Sequence, residues 1–128
     1  MLPVITLDLD DVLVDYCQSY LNFAASHGAS QLHVHELTEL HWAGPLGITT
    51  EEELELDRRF ALDPSYRQCV AIPGAGEAVR ILQKRFEVHV VTARGPEKQE
   101  ATEEWLREVL GVGVPLHLLG LWGLPRVQ

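Results

Sequence analysis

Three observations predict an α/β fold with a parallel sheet. A short β-branched run, Val4-Ile5-Thr6-Leu7, stops abruptly at acidic residues, as a buried strand of a parallel sheet does. A second such run, Glu87 to Val91, is rich in valine and closes on Thr92-Ala93-Arg94-Gly95. Around them lie segments of helical spacing, giving the order strand, helical insert, helix, strand, helix, strand. Alternation of this kind builds a parallel sheet with right-handed crossovers. A chain of 128 residues is one domain's length. It shows no internal repeat and no low-complexity segment.

Each element has its own local signal. From Asp15 to about His27 the pattern is helical, with Tyr16, Tyr20 and Phe23 at i, i+4 and i+7 and Gly28 as a stop. Residues 30 to 48 have no clean period, and Gly44, Pro45 and Gly47 mark a loop. Thr50 followed by Glu53 predicts a capping box that opens a second helix to about Phe60, ended by Asp63-Pro64. A short helical piece over Tyr66 to Val70 follows. Pro73-Gly74 turns into a helix with Ala75, Val79 and Leu82 on one face. Pro96 suits the first position of the next helix, which runs to Leu110 before Gly111, with Ala101, Trp105 and Val109 or Leu106 inward. Pro115 to Leu121 predicts a third strand, and Gly120, Gly123 and Pro125 break up the tail.

Composition excludes some functions. With 46% hydrophobic and 23% charged residues the chain is ordinary for a soluble globular protein. A net charge of −9 argues against sequence-independent binding to a nucleic-acid duplex, but not against one small phosphorylated ligand accompanied by a cation. No apolar run suits a membrane span and no signal region precedes the first strand, so a cytoplasmic setting is expected. Cys17 and Cys69 flank apolar positions without C-x-x-C spacing and read as buried free thiols. His33, His35 and the nearby His41 lack the periodic scaffold of a metal site. His27, His89 and His117 carry no functional signal.

The chemistry concentrates in Asp8-Leu9-Asp10-Asp11, directly after the first strand. Active sites of open α/β sheets lie beyond the carboxyl ends of strands. Two carboxylates two residues apart there can converge on one small volume. They cannot both stay charged unaided: one holds a proton, or a cation binds between them. Magnesium takes such hard oxygen donors, and a protonated partner is a general acid. The plain alternative is a strand end and turn, where aspartate is common. Three aspartates in four positions weigh against it. A calcium loop is a poor rival, because Val12 and Leu13 stand where it would want Asp or Asn and then Gly.

The segment VITLDLDDVLVD, Val4 to Asp15, resembles the first signature of the haloacid dehalogenase superfamily of phosphohydrolases. Ile72 to Leu106, containing PGAGEAVRILQKRFEVHVVTARGPEKQEATEEWL, resembles its second, in the 5′(3′)-deoxyribonucleotidase-like version. The likeness covers residues 1 to about 112. It implies a three-layer Rossmann-like core, residues 1–14 and 71–128, with a small helical cap, residues 15–70, inserted after the first strand. It also implies that Asp8 is the nucleophile that forms an aspartyl-phosphate. Asp10 would be the acid and then the base, and Asp8 with the Asp10 carbonyl would be the magnesium ligands. Thr92 would bind a phosphoryl oxygen and Arg94 a substrate phosphate. Cap aromatics Tyr16, Tyr20, Phe23 and Trp42 would face the leaving group, although at helical spacing the first three are more often core.

The family's pattern continues with a lysine and a final acidic pair, and this sequence has no acidic residue after Glu108. The expectation is therefore an incomplete core of about three strands, lacking the C-terminal third, with strand one exposed along an edge. Three accounts remain: a truncated product of an ordinary phosphatase gene, a pseudoenzyme that binds ligands or partners, or a homodimer whose copies cover each other's edges.

Overall fold

The computed structural model describes residues 1–38 and 42–121. His41 and the tail from Trp122 to Gln128 lie outside them. Strands β1 (Val4–Leu7), β2 (Glu87–Thr92) and β3 (Leu116–Leu118) form one parallel sheet in the order β1-β2-β3. Helix α1 (Tyr16–Ser26), the one-turn α2 (Ala43–Leu46), α3 (Thr50–Leu62) and α4 (Pro64–Arg67) fill the stretch between β1 and α5 (Ala75–Leu82). Helix α6 (Gln99–Trp105) begins after a 3-10 turn at Pro96–Lys98. It runs on as a π-helical turn over Leu106–Leu110. There Gly111, at φ 75°, takes the left-handed position that ends it without a Cβ clash.

One sheet face packs. Val88 and Val90 are buried with Ala75 and Val79 of α5 and Ala101, Trp105 and Leu106 of the following helix, and Ile5, Leu7 and Leu116 join them partly covered. The other face carries Val4, Thr6, Glu87, His89, Val91 and His117, all exposed or half-exposed. Parallel register pairs Val91 with His117, which sets His117 diagonally beside His89. Their rings stack at 5.0 Å with Nδ1 and Nε2 2.8 Å apart. Among the described residues β1 is an edge strand, with Val4 56% exposed.

Within the same continuous core, the insert packs around Phe60, which is fully buried among Tyr16, Tyr20, Phe23 and Tyr66 at centroid distances of 5.0–5.8 Å. Its two ends are stapled by a short antiparallel ladder. The Asp15 N–H donates to Val70 O (2.8 Å) and the Ile72 N–H to Leu13 O (2.9 Å). It is also tied to α6, through the Trp105 Nε1–H to Cys69 O bond (2.7 Å) and the Arg67–Glu104 ion pair.

Several boundaries differ from the sequence expectation. The capping box sits one residue earlier: Thr49 Oγ1 accepts the Glu52 N–H and Glu52 Oε1 accepts the Thr49 N–H, both at 3.1 Å. The run Thr49-Thr50-Glu51-Glu52-Glu53 satisfies the motif in two registers, and spacing alone cannot choose between them. Gly44 and Pro45 lie inside α2 rather than in a loop, and only Gly47 breaks the chain, at φ 72°. The piece expected over Tyr66 to Val70 is α4, opened earlier by Pro64 at its first position. Leu106 faces inward while Val109 is 41% exposed. The third strand is confined to three residues.

Candidate active site

The site is built on the carboxyl ends of β1 and β2. Register pairs Leu7 with Val90, so Asp8 follows one strand end at the level where β2 runs through Val91 to Thr92. Asp8 is exposed, and its Oδ1 accepts the Leu9 N–H at 2.7 Å. Thr92 shares the packed face with Val88 and Val90 and is 1% exposed, and its Oγ1 accepts the Arg94 N–H at 3.3 Å.

Beyond Asp8 the chain folds into a tight turn. Leu9 O accepts from the N–H groups of Val12, Leu13 and Val14 at 3.3, 2.9 and 3.1 Å. Asp11 occupies this turn at φ 61°, the only described non-glycine with positive φ. Its Oδ1 accepts the Cys17 N–H at 2.9 Å, capping α1 from outside the helix. Burial raises the Asp11 carboxyl above its ordinary range, with Asp10 and Asp15 adding to the shift and the Cys17 N–H opposing it. The third acid therefore builds structure. Asp11→Ala should cost about 2 kcal/mol, combining a lost cap with left-handed strain on a Cβ that has no compensating polar group. Asp11→Gly should lose mainly the cap. Urea unfolding of both variants checks the order, and equal losses would contradict it.

Asp10 is held by Arg94. Nη2 meets Oδ1 at 2.6 Å and Nε meets Oδ2 at 3.2 Å, a two-pronged guanidinium–carboxylate contact. Arg94 is only 5% exposed, and its Nη1 donates to Thr102 Oγ1 at 3.0 Å. Its guanidinium lies over Tyr66 (4.8 Å to the centroid) and Tyr16 (5.5 Å). Burial works to lower the Arg94 pKa, but the hydrogen bonds and charge of Asp10 outweigh it and raise it. Arg94 was expected at a substrate phosphate. In this structure both prongs of its fork face Asp10.

Tyr66 is 3% exposed, and its hydroxyl is the one buried side-chain polar atom among the described residues without a hydrogen-bond partner. Burial raises its pKa, as it does for Tyr16, so both remain neutral phenols. A buried hydroxyl with no partner costs about 1–3 kcal/mol. Tyr66→Phe should accordingly stabilise the fold by about 1 kcal/mol. A lower melting temperature for this variant would show that the hydroxyl has a partner after all.

The remaining expectations fall into place by burial. Tyr20 and Phe23 are buried in the insert, whereas Tyr16 and Trp42 are half-buried. Cys17 and Cys69 are both buried and free, and burial pushes the Cys17 thiol up to about 11. A cavity of about 430 Å³ lined by Ser19, Asn22, His27, Asp63 and Gln68 includes none of the strand-end groups. Sequence reasoning missed Tyr66 and Thr102 as companions of Arg94. No motif marks them, because the contacts join segments far apart in the chain.

Among the described residues no three His, Cys, Asp or Glu side chains converge on a metal position. The Asp8 carboxylate is a hard, exposed oxygen donor, and Asp10, its side chain engaged by Arg94, has its main-chain carbonyl to contribute. Such a pair suits magnesium, which keeps several waters and binds through few carboxylates plus a substrate phosphate.

No protein-family model matches the chain. It is 30% identical over 116 residues to a Bacillus cereus protein named "Putative nucleotidase", covering 86% of this chain and 59% of that protein. Its structure resembles that of a haloacid dehalogenase family hydrolase from Deinococcus radiodurans, crystallised with phosphate and sodium. The TM-score is 0.59 at 19% identity, over 94% of this chain and 60% of the other. The chain thus spans about three fifths of the length of each. No helix among the described residues is long and apolar enough to cross a membrane. The fold is thus that of a haloacid dehalogenase family hydrolase, a parallel sheet with flanking helices.

Proposed function

We propose that the chain carries the nucleophile-bearing part of a phosphomonoester hydrolase for a nucleotide or another small phosphorylated metabolite. The observation that carries this reading is an exposed carboxylate, Asp8, at the carboxyl end of β1, beside a second carboxylate whose position is fixed by a buried arginine. The nucleotidase name of the Bacillus cereus relative adds support for the substrate class.

In this reading an Asp8 oxygen bonds to phosphorus as the bond from phosphorus to the leaving oxygen breaks, giving an aspartyl-phosphate. Asp10 supplies the proton to the leaving oxygen. It then takes one from the water that cleaves the intermediate, returning Asp8 and inorganic phosphate. Each Asp10 oxygen keeps a lone pair outside the Arg94 fork, and the donor step uses a proton held there. The Thr92 hydroxyl, which accepts the Arg94 N–H, has its own proton for a phosphoryl oxygen. Bound by Asp8 and the Asp10 carbonyl, Mg²⁺ would offset phosphoryl charge. Residues 15–70 act as the cap over the leaving group, with Tyr16 and Trp42 its accessible aromatics, and residues 1–14 and 71–128 as the core.

Phosphate release from a panel of phosphate esters with Mg²⁺ tests the reading. Release should stop on chelation and return with added Mg²⁺. Release that persists in chelator would contradict the metal assignment, and no release from any ester would overturn the enzymatic reading.

A second reading follows from the absence of a third metal-binding side chain among the described residues. On that account the chain is a catalytically impaired phosphatase relative that binds ligands or partners, including a second copy along the open β1 edge. It expects thermal stabilisation by phosphate esters without turnover. Steady turnover by the 128-residue chain would end it.

A further inference from the structure

We propose that Arg94 is the positioning residue of Asp10, and that Tyr16 and Tyr66 are the aromatic clamp through which the helical insert sets the direction of that carboxylate. The inference rests on the reading of Asp10 as an acid–base group. Arg94 is held at its main chain and at each of its three guanidinium nitrogens. Its N–H donates to Thr92 Oγ1 and its carbonyl accepts the Gly120 N–H at 3.0 Å, fixing the turn after β2. The guanidinium spends Nε and Nη2 on Asp10 and Nη1 on Thr102. Thr102 is itself fully buried and anchored to Lys98 O at 2.8 Å. A planar cation held along one edge and over aromatic rings has little freedom to swing towards solvent.

The clamp has a mechanical consequence. Arg94 lies in the turn after β2 and Thr102 in α6, whereas Tyr16 belongs to α1 and Tyr66 to α4, both in the insert. Tyr16 is tied further into the insert by its hydroxyl, which donates to Asp57 Oδ1 at 3.3 Å. A shift of the insert therefore moves the rings over the guanidinium, and with them the fork that aims Asp10. Tyr66 contributes the ring alone, since its hydroxyl has no partner. A direct phosphate ligand would need N–H groups facing the open site. A guanidinium with its fork on Asp10 instead acts through that carboxylate.

Two measurements on the full chain test this. In ¹H–¹⁵N spectra the Arg94 Nε–H, assigned through bonds from its backbone, should exchange slowly with water and show an aromatic ring-current shift. Tyr66→Phe should keep that shift and Tyr66→Leu should lose much of it. A fast-exchanging, unshifted Nε–H in the unaltered chain would overturn the proposal whether or not the chain is an enzyme. Where phosphate release is measurable, Arg94→Lys keeps the charge but loses the fork. It should lower kcat about 100-fold with KM unchanged, the cost of a misaimed catalytic group. A raised KM with kcat preserved would assign Arg94 to the substrate phosphate and end the proposal. If no ester is hydrolysed at all, the enzymatic reading fails and the spectroscopic result alone decides whether Arg94 positions Asp10.

Discussion

Asp8→Asn should abolish phosphate release while leaving the fold intact. Removing a covalent nucleophile commonly costs on the order of 10⁴–10⁶-fold in kcat, because the remaining groups have no bond-forming partner to assist. Asparagine has the same shape, retains an oxygen to accept the Leu9 N–H, and lies at an exposed position. Its effect on stability should stay within about 0.5 kcal/mol. The two measurements together make the case. A dead but normally stable Asp8→Asn points to chemistry at that atom, whereas a variant with unchanged turnover would remove Asp8 from the mechanism. Urea unfolding and phosphate release on one preparation provide both.

Asp10→Ala should behave differently, losing activity and stability together. It strands Arg94, whose side chain is 5% exposed, with no counter-charge. Removing one partner of a buried pair costs about 3–5 kcal/mol, because the surviving charge stays desolvated. The loss should fall near the lower end here, since the Asp10 side chain is 22% exposed and water can enter its place. Even so, it is a large share of the roughly 5–15 kcal/mol that holds a domain folded. Arg94→Met added to Asp10→Ala should recover most of the stability and none of the activity. A loss below about 1 kcal/mol in the single variant would mean that Arg94 reaches solvent or another acceptor, against the buried-pair account.

Much of this architecture can be read directly from residue patterns. Val4–Leu7 and Glu87–Thr92 are rich in β-branched residues and bounded by acids or a Thr-Ala-Arg-Gly turn, and both are strands. Val88, Val90 and Thr92 are buried as expected, whereas no residue of Val4–Leu7 is, because β1 lies at an edge of the described sheet. The helix boundaries at Pro64, Pro96 and Gly111 follow from what proline and glycine permit. Agreement fails where two local solutions are nearly equal. The doubled Thr-Glu run allowed two capping registers, and one turn of helix at Ala43–Leu46 has too few residues to show a period.

The site was legible as residue types but not as partnerships. Asp8, Asp10, Thr92 and Arg94 stand out because they end strands. Nothing in the spacing says that Arg94 turns back to Asp10, 84 positions away, or that Tyr66 and Thr102 complete its surroundings. Tyr16 carries both of its sequence readings at once. It packs on Phe60 in the insert and lies under Arg94 at the site. A period of 3.6 identifies a buried face, but it cannot report which charged group from another segment shares that face.

The most direct test of the central claim is acid-quenched mass analysis of the chain mixed with a hydrolysed phosphate ester and Mg²⁺. The account predicts a transient phosphoryl group, labile to hydroxylamine, on the peptide containing Asp8, and none in Asp8→Asn. Turnover with no phosphorylated chain, or with the phosphoryl group on another residue, would contradict it.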